Sequence, residues 1–125
     1  PDYVVRRVVE GLNDRERSVK GSRVLLLGLA YKRNTGDARE SPSRPIAEEL
    51  VRLGADVRAA DPHVDDRHVP AVVHRVVAEA DELAAADVVV VLVDHDDFDA
   101  DLVSSTARYV LDTRRWTSGP TVEHL

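Results

Sequence analysis

Two uninterrupted apolar runs constrain the fold of this chain more than any other feature of its sequence. The first is VLLL at residues 24–27, and the second is VVVVLV at residues 88–93. Neither run alternates between apolar and polar positions. A strand that is apolar at every position is buried on both faces, as in a parallel sheet that helices cover on either side. The two runs therefore predict central strands of a parallel sheet.

Helical patterns and turn signals separate these runs. Residues 3–12 carry apolar side chains at helical spacing, and Ser41 with Pro42 is typical of the start of a helix that Gly54 ends. Further strands are predicted in ADVRAADP, in residues 71–77 and in RYVLDTRRW, and short helices in residues 78–85 and in DDFDADLVSSTA. Strands that alternate with helices predict an α/β fold: a three-layer, doubly wound, mainly parallel sheet of Rossmann-like type with helices on both faces.

Composition excludes several classes of function. The chain has 125 residues, 43% of them hydrophobic, and a formal net charge of −6, which disfavours nucleic acid and anionic membranes as partners. It contains no cysteine, so a cysteine nucleophile and thiolate metal sites are excluded. The sequence has no apolar window of membrane-spanning length and no signal-peptide pattern. We therefore expect a cytoplasmic domain.

The chain opens in the middle of an amphipathic pattern, begins with Pro1 and contains no methionine. We expect it to be a piece of a longer protein. Residues 1–20 are interpreted as a helix and linker, and residues 21–125 as one folded domain.

Cationic side chains follow two of the predicted strands, although the chain as a whole is acidic. The residues after the first strand include Tyr31, Lys32, Arg33 and Arg39, and those after the last strand include Arg114 and Arg115. Ligands of doubly wound sheets bind outside the carboxyl ends of the strands, and guanidinium groups and helix N-termini bind phosphate. The pattern favours a phosphate-bearing ligand. The alternative is that these cations are solvated surface residues.

The common phosphate-binding glycine motifs are absent. Gly28 is the only glycine directly after the first strand, where a dinucleotide fingerprint has three spaced glycines, and there is no glycine-lysine-serine segment. We therefore expect that this domain does not hold NAD by itself.

Acidic and histidine residues offer other interpretations. DHDDFDAD resembles a calcium loop, but Leu102 and Arg108 stand where that loop needs glycine and glutamate, so no metal site is predicted. Asp61 precedes proline at a strand end, which is typical of a turn, while an acid there binds ribose in some dinucleotide-binding proteins. His95 is interpreted as a cap of the following helix, with the lining of a nucleotide pocket as the alternative.

Four segments, in this order and spacing, resemble the C-terminal domain of the UDP-glucose/GDP-mannose dehydrogenase family. They are VLLLGLAYKRNTGDARESPS, LGADVRAADPHV, DVVVVLVDHDDF and YVLDTRRW. The resemblance covers nearly the whole chain, and residues 1–20 resemble the segment that joins the family's central helical domain to this one. It implies a UDP-sugar-binding domain at residues 21–125. Members of the family are NAD-dependent dehydrogenases that oxidise C6 of a nucleotide sugar to a carboxylate in two steps, through a thiohemiacetal on a cysteine.

The resemblance also implies roles for particular residues. Tyr31 and Lys32 match positions that contact the UDP-sugar, Arg114 matches one that binds it, and Arg39 matches an arginine that reaches NAD. The nucleophilic cysteine and the main NAD-binding domain precede this region in the family, so no catalytic residue is predicted here. DTR, which begins at Asp112, resembles enzymes that act on UDP-N-acetylhexosamines, and UDP-glucose is the alternative substrate. A homodimer is implied for the complete enzyme, and the alternative function is a non-catalytic α/β module that binds a nucleotide or a protein.

Overall fold

A six-stranded sheet forms the centre of the computed structural model, which describes all 125 residues. The strands are β1 (Arg23–Leu27), β2 (Asp56–Ala60), β3 (His74–Arg75), β4 (Val88–Val91), β5 (Val110–Asp112) and β6 (Val122–His124). The helices are α1 (Asp2–Asp14), α2 (Ser43–Arg52), α3 (Ala80–Ala85) and α4 (Ala100–Thr106), with a short 3₁₀ helix at Asp66–His68. The strand order is β3-β2-β1-β4-β5-β6, and every strand pair is parallel. The predicted doubly wound α/β fold is confirmed.

Helices cover both faces of the sheet, which explains why the central strands are apolar at every position. Val24 and Leu26 of β1 face a core shared with α1 and α2, whereas Leu25 and Leu27 face a core shared with α3 and α4. The four valines of β4 are divided between the two cores in the same way. No helix combines the length and the apolar composition needed to cross a bilayer.

The strand order reverses between β1 and β4. The chain runs from β1 outward through β2 to β3, then crosses back to β4 on the other side of β1. In doubly wound sheets this reversal opens a crevice at the carboxyl ends of the two strands. Gly28 begins the loop after β1 with φ of +97°, and a Cβ at this position would lie 2.5 Å from Val93 Cβ. Only glycine therefore allows the loop to turn directly over the end of β4.

Two local predictions differ from the structure, and one strand was not predicted. Helix α2 starts at Ser43 rather than at Pro42, although Ser41 Oγ accepts the Ser43 N–H at 3.1 Å as a capping side chain does. The strand expected at residues 71–77 is reduced to the two residues of β3. Strand β6 was not predicted, because its three residues, two partly buried and one exposed, form no apolar run.

Helix α1 contributes directly to the core. Val8 and Leu12 are fully buried, and they belong to the same cluster as Ile46 and Leu50 of α2. The ring of Tyr109 in the segment before β5 lies against this helix, where a Cβ on Gly11 would come within 2.0 Å of the tyrosine hydroxyl. Helix α1 is therefore part of the layer that covers one face of the sheet. The predicted domain boundary after residue 20 stays a prediction.

Candidate functional site

The carboxyl ends of β1, β2, β4 and β5 meet at one edge of the sheet, and the loops that follow them carry the residues singled out from the sequence. Residues 28–42 follow β1 and residues 92–99 follow β4. The turn after β5 spans residues 113–117, and Asp61 directly follows β2. Buried polar side chains at the bases of these loops determine where the exposed groups stand.

Asp61 is a buried anchor for the loop after β1. Its Oδ2 accepts the N–H groups of Leu29 at 2.7 Å and Ala30 at 3.0 Å, and it lies 2.9 Å from His95 Nε2. Its Oδ1 accepts the N–H of His63 at 2.9 Å. Burial alone would raise the pKa of Asp61, but these hydrogen bonds outweigh it and hold the pKa below its usual value. Asp61 is therefore an ionised structural acceptor, and its fully buried side chain is inaccessible to a ribose.

His95 is completely buried and connects three loops. Its Nε2 faces the Asp61 carboxylate, and its Nδ1 accepts the Asn34 N–H at 2.8 Å. Its ring lies 4.5 Å from the His63 ring, centre to centre. The prediction that His95 caps the following helix is wrong, because α4 begins at Ala100 and Asp99 accepts the Leu102 N–H there.

Tyr31 and Lys32 are exposed on the loop that Asp61 holds. The Tyr31 N–H donates to the carbonyl of Asp37 at 2.7 Å, which closes the loop on itself, while 53% of the Tyr31 surface remains accessible. Both residues line a surface concavity of about 600 Å³ together with Asp37, Arg39 and Glu40. The structure therefore brings three of the four predicted site residues to one concavity.

Arg39 is held in this concavity by an ion pair. Its Nε and one terminal nitrogen donate to the two carboxylate oxygens of Asp37, each at 3.0 Å. This contact lowers the pKa of Asp37 to about 2. The Arg39 side chain is 83% exposed, so solvent screens the pair and little free energy is needed to exchange Asp37 for another anion.

Arg114 lies outside that concavity, on the turn after β5. The Arg114 N–H donates to Asp112 Oδ1 at 2.8 Å, and its Nε donates to the Leu92 carbonyl at 2.9 Å. The second Asp112 oxygen accepts the N–H groups of Trp116 at 2.8 Å and Thr117 at 2.6 Å. Asp112 is fully buried and shapes the turn, and the Nε contact leaves the terminal nitrogens of Arg114 available at the surface.

The segment after β4 links the two cationic regions. Leu92 accepts from Arg114, and His95 accepts from Asn34 of the β1 loop. The side chain of Asp96 pairs with Arg33 at 2.5 Å. Lys32 and Arg114 therefore stand at the same edge of the sheet, on loops that contact one connecting segment.

The cations of this edge differ in whether acids neutralise them. Arg33 pairs with Asp96 and Arg39 with Asp37, whereas Lys32, Arg114 and Arg115 form no ion pair. The sequence did not show which cations are paired and which are not, because the conformation of the loops decides which acids come within reach.

The crevice between β1 and β2 does not fit the adenosine half of a dinucleotide. The loop after β1 has one glycine at the sheet edge, and its first two free N–H groups, those of Leu29 and Ala30, already donate to Asp61. The acid at the end of β2, Asp61, has a fully buried side chain that already accepts hydrogen bonds from the backbone. NAD has no conventional site on this chain.

A doubly wound parallel sheet with unneutralised cations beyond its carboxyl ends defines a nucleotide-binding type of α/β domain. The family model described as "UDP-glucose/GDP-mannose dehydrogenase family, UDP binding domain" matches residues 25–119, and the chain belongs to this family.

Curated relatives agree with this assignment. The chain is 36% identical over 120 residues to a UDP-N-acetyl-D-mannosamine dehydrogenase of Salmonella typhi, covering 90% of this chain and 28% of the relative. It is 35% identical over 99 residues to a protein of the same name from Methanococcus maripaludis, covering 78% and 21%. The chain thus spans about a quarter of the length of these relatives.

Solved structures share the fold over nearly the whole chain. A crystal structure of NDP-N-acetyl-D-galactosaminuronic acid dehydrogenase from Methanosarcina mazei matches with a TM-score of 0.77 at 25% identity, covering 98% of this chain and 27% of that one. A UDP-glucose dehydrogenase from Pyrobaculum islandicum matches with a TM-score of 0.75 at 26% identity, covering 98% and 29%.

Proposed function

We propose that this chain is the C-terminal nucleotide-sugar-binding domain of an NAD-dependent UDP-sugar 6-dehydrogenase, which oxidises the C6 alcohol to a carboxylate with two NAD per turnover. One observation carries the proposal. Lys32 and Arg114 lie at the carboxyl edge of the sheet without acidic partners, while neighbouring arginines are paired. Two unneutralised cations at the same edge of the sheet suit a pyrophosphate, since its negative charge would neutralise them.

The two cations suit different parts of such a ligand. An ammonium is a compact point charge, whereas a guanidinium offers a planar fork for two parallel hydrogen bonds to phosphate. The Nε of Arg114 is fixed to the Leu92 carbonyl, so its terminal nitrogens are oriented before a ligand arrives. Tyr31 offers an exposed aromatic surface beside Lys32.

NAD would be held mainly by other parts of the complete enzyme. In this chain Arg39 is the proposed contact with NAD, and it would exchange Asp37 for the anionic cofactor. The nucleophilic cysteine is likewise proposed to lie outside this chain, which contains none. A homodimer in the cytoplasm is the proposed state of the complete enzyme.

The proposed sugar is an N-acetylhexosamine. Asp112, Thr113 and Arg114 form the DTR sequence that resembles enzymes for acetylated substrates. The names of the Salmonella typhi and Methanococcus maripaludis relatives, both UDP-N-acetyl-D-mannosamine dehydrogenases, support this choice.

Titration of the ¹⁵N-labelled chain with UDP, followed by NMR, tests the proposal. A few charged hydrogen bonds of about 1.5–3 kcal/mol each must offset an association cost of about 4–15 kcal/mol, so we expect a dissociation constant on the order of millimolar. Saturable shifts should appear at the amides of Tyr31, Lys32 and Arg114. Arg114→Ala should weaken binding by about tenfold or more, the equivalent of one charged hydrogen bond.

Arg52→Ala is the matched control. It removes the same charge from the C-terminal end of α2, at the opposite edge of the sheet, where Arg52 pairs with Glu49. Its UDP affinity should equal that of the wild type. Absence of shifts at several millimolar UDP, or equal losses in the two variants, would contradict the proposal and favour a non-catalytic binding module.

A further inference from the structure

We infer that His95 is a positioning residue: its Nδ1 accepts the Asn34 N–H while Asp61 fixes its Nε2, and this holds the segment that presents Tyr31 and Lys32. The inference rests on the proposed function for its ligand, but the placement of the segment can be measured without one. His95 itself does not contact the ligand.

The hydrogen bonds of His95 require one tautomer. Asp61 is an ionised acceptor, so the Nε2 that faces it at 2.9 Å carries the proton. The Nδ1 faces the backbone N–H of Asn34 at 2.8 Å and must present its lone pair. A neutral His95 protonated at Nε2 satisfies both contacts, and no other form does.

Asp61 and His95 fix the two ends of the segment that runs from Leu29 to Asn34. Asp61 accepts the N–H groups of Leu29 and Ala30 at the start, and His95 accepts that of Asn34 at the end. The residues in between are exposed, and the contacts they make lie within the loops: the Tyr31 N–H donates to the Asp37 carbonyl, and Arg33 pairs with Asp96. Asp61 and His95 are the buried anchors of this segment.

Asn34 needs such an anchor, because its backbone is in the left-handed region with φ of +58°. Its side chain forms a reciprocal pair with Asp96: Nδ2 donates to the carboxylate at 2.9 Å, and Oδ1 accepts the Asp96 N–H at 3.0 Å. Those bonds are exposed, whereas the bond to His95 ends on a fully buried ring. The His95 contact is therefore the protected one.

Burial keeps His95 away from the ligand. The ring is inaccessible to solvent, with His63 against it at 4.5 Å and Phe98 at 5.6 Å between ring centres. It acts by ordering the segment beforehand, because a loop that is already ordered loses less conformational entropy when a ligand binds.

Two substitutions separate the two hydrogen bonds. In His95→Asn the amide oxygen can take the position of Nδ1 and still accept the Asn34 N–H, while the bond to Asp61 is lost. In His95→Gln the amide NH₂ can take the position of Nε2 and still donate to Asp61, while the bond to Asn34 is lost. Both side chains are smaller than imidazole, so both variants lose packing, and thermal unfolding measures that shared loss.

Hydrogen exchange of the Asn34 amide measures the positioning directly. We expect protection to fall by about tenfold or more in His95→Gln, the equivalent of one net hydrogen bond, and to be largely retained in His95→Asn. UDP affinity should follow the same order, with His95→Gln weaker than His95→Asn. Equal loss of Asn34 protection in both variants would overturn the inference, because it would show a role in packing alone.

The wild-type chain supplies a second test that needs no variant. The ¹⁵N shifts of the His95 ring should show a protonated Nε2 and an unprotonated Nδ1, and the reverse tautomer would overturn the inference. Failure of the proposed function is distinguishable: the wild type would then show no UDP shifts, while Asn34 exchange would still decide the role of His95. UDP binding that is equal in the wild type and His95→Gln would leave the proposed function standing and reject the positioning role.

Discussion

At the ends of β2, β4 and β5, a buried side chain accepts hydrogen bonds from the backbone of a loop. Asp61 holds the loop after β1, His95 holds Asn34, and Asp112 holds the turn that carries Arg114. The candidate ligand groups Lys32 and Arg114 are exposed, and their positions follow from these neighbours. Buried acceptors are costly to leave unsatisfied, so this arrangement also stabilises the loops.

Tyr109 gives a residue-scale prediction with a defined pH range. Burial, and then the Glu123 carboxylate near its hydroxyl, raise the pKa of Tyr109 to about 12. Since the folded pKa lies above the ordinary value near 10, the unfolded chain ionises first. The free energy of unfolding is therefore unaffected by this group below about pH 10 and falls as the pH rises towards 12. The fall due to Tyr109 is about 2–3 kcal/mol.

Denaturant unfolding between pH 8 and 12 measures this effect. Tyr109→Phe is the control, because it keeps the ring against Gly11 and under the Arg15 guanidinium but cannot ionise. The wild type should lose more stability than the variant above about pH 10. Parallel curves for the two proteins would show that the buried hydroxyl does not titrate as expected.

At the scale of elements, the turn between β5 and β6 depends on one carboxylate. Asp112 Oδ2 accepts the Trp116 N–H at 2.8 Å and both the N–H and the hydroxyl of Thr117 at 2.6 Å. Its Oδ1 accepts from Arg114. The turn therefore connects the placement of Arg114 to the pairing of β6.

Asp112→Asn should disturb both features. The amide NH₂ would face donors at one of the two oxygen positions, and each buried donor left unsatisfied costs about 1–3 kcal/mol. We expect a loss of stability of at least this size and altered amide shifts in β6, measured by chemical denaturation and NMR. Glu48→Gln, which neutralises an exposed carboxylate on α2, should change neither quantity. An Asp112→Asn chain as stable as that control would contradict the role of the carboxylate.

At the scale of the whole molecule, α1 forms part of the layer that covers one face of the sheet. Val5, Val8 and Leu12 of α1 are buried in the larger core, and Arg7 pairs with Glu123 of β6. The family match begins only at residue 25, after this helix. The hydrophobic core therefore includes residues that precede the region matched by the family model.

Deletion of residues 1–20 tests the predicted domain boundary. Full burial of one large aliphatic side chain contributes about 1.5–3 kcal/mol, and native domains have a net stability of about 5–15 kcal/mol. We expect the shortened chain to lose cooperative thermal unfolding. Leu12→Ala should cost about 2–5 kcal/mol, whereas Glu10→Ala on the exposed face should have little effect. An unchanged melting temperature for residues 21–125 would instead establish the boundary after residue 20.

The class of fold was predictable, because its signal is local. The runs at residues 24–27 and 88–93 are apolar at every position, which is typical of a strand buried on both faces. The cationic character of the loops after β1 and β5 was also readable from the sequence. Lys32 and Arg114 were singled out among these cations by the family resemblance, and their roles in binding stay predictions.

Two kinds of feature depended on tertiary structure. Strand β6 has two partly buried residues and one exposed residue, and it forms because β5 offers it a parallel edge. Asn34, Asp61 and His95 lie far apart along the chain and meet only after the crossovers bring their loops to one edge.

The amino-acid sequence by itself determined the strands of the core, the turn at Gly28 and the supply of cations at the sheet edge, because burial patterns and backbone preferences act over a few residues. Tertiary structure alone decided that Asp96, on the loop after β4, neutralises Arg33 of the loop after β1, while Lys32 and Arg114 form no ion pair. A hydrogen bond or an ion pair depends on distances of about 3–4 Å between atoms from different loops, and only the folded chain sets those distances.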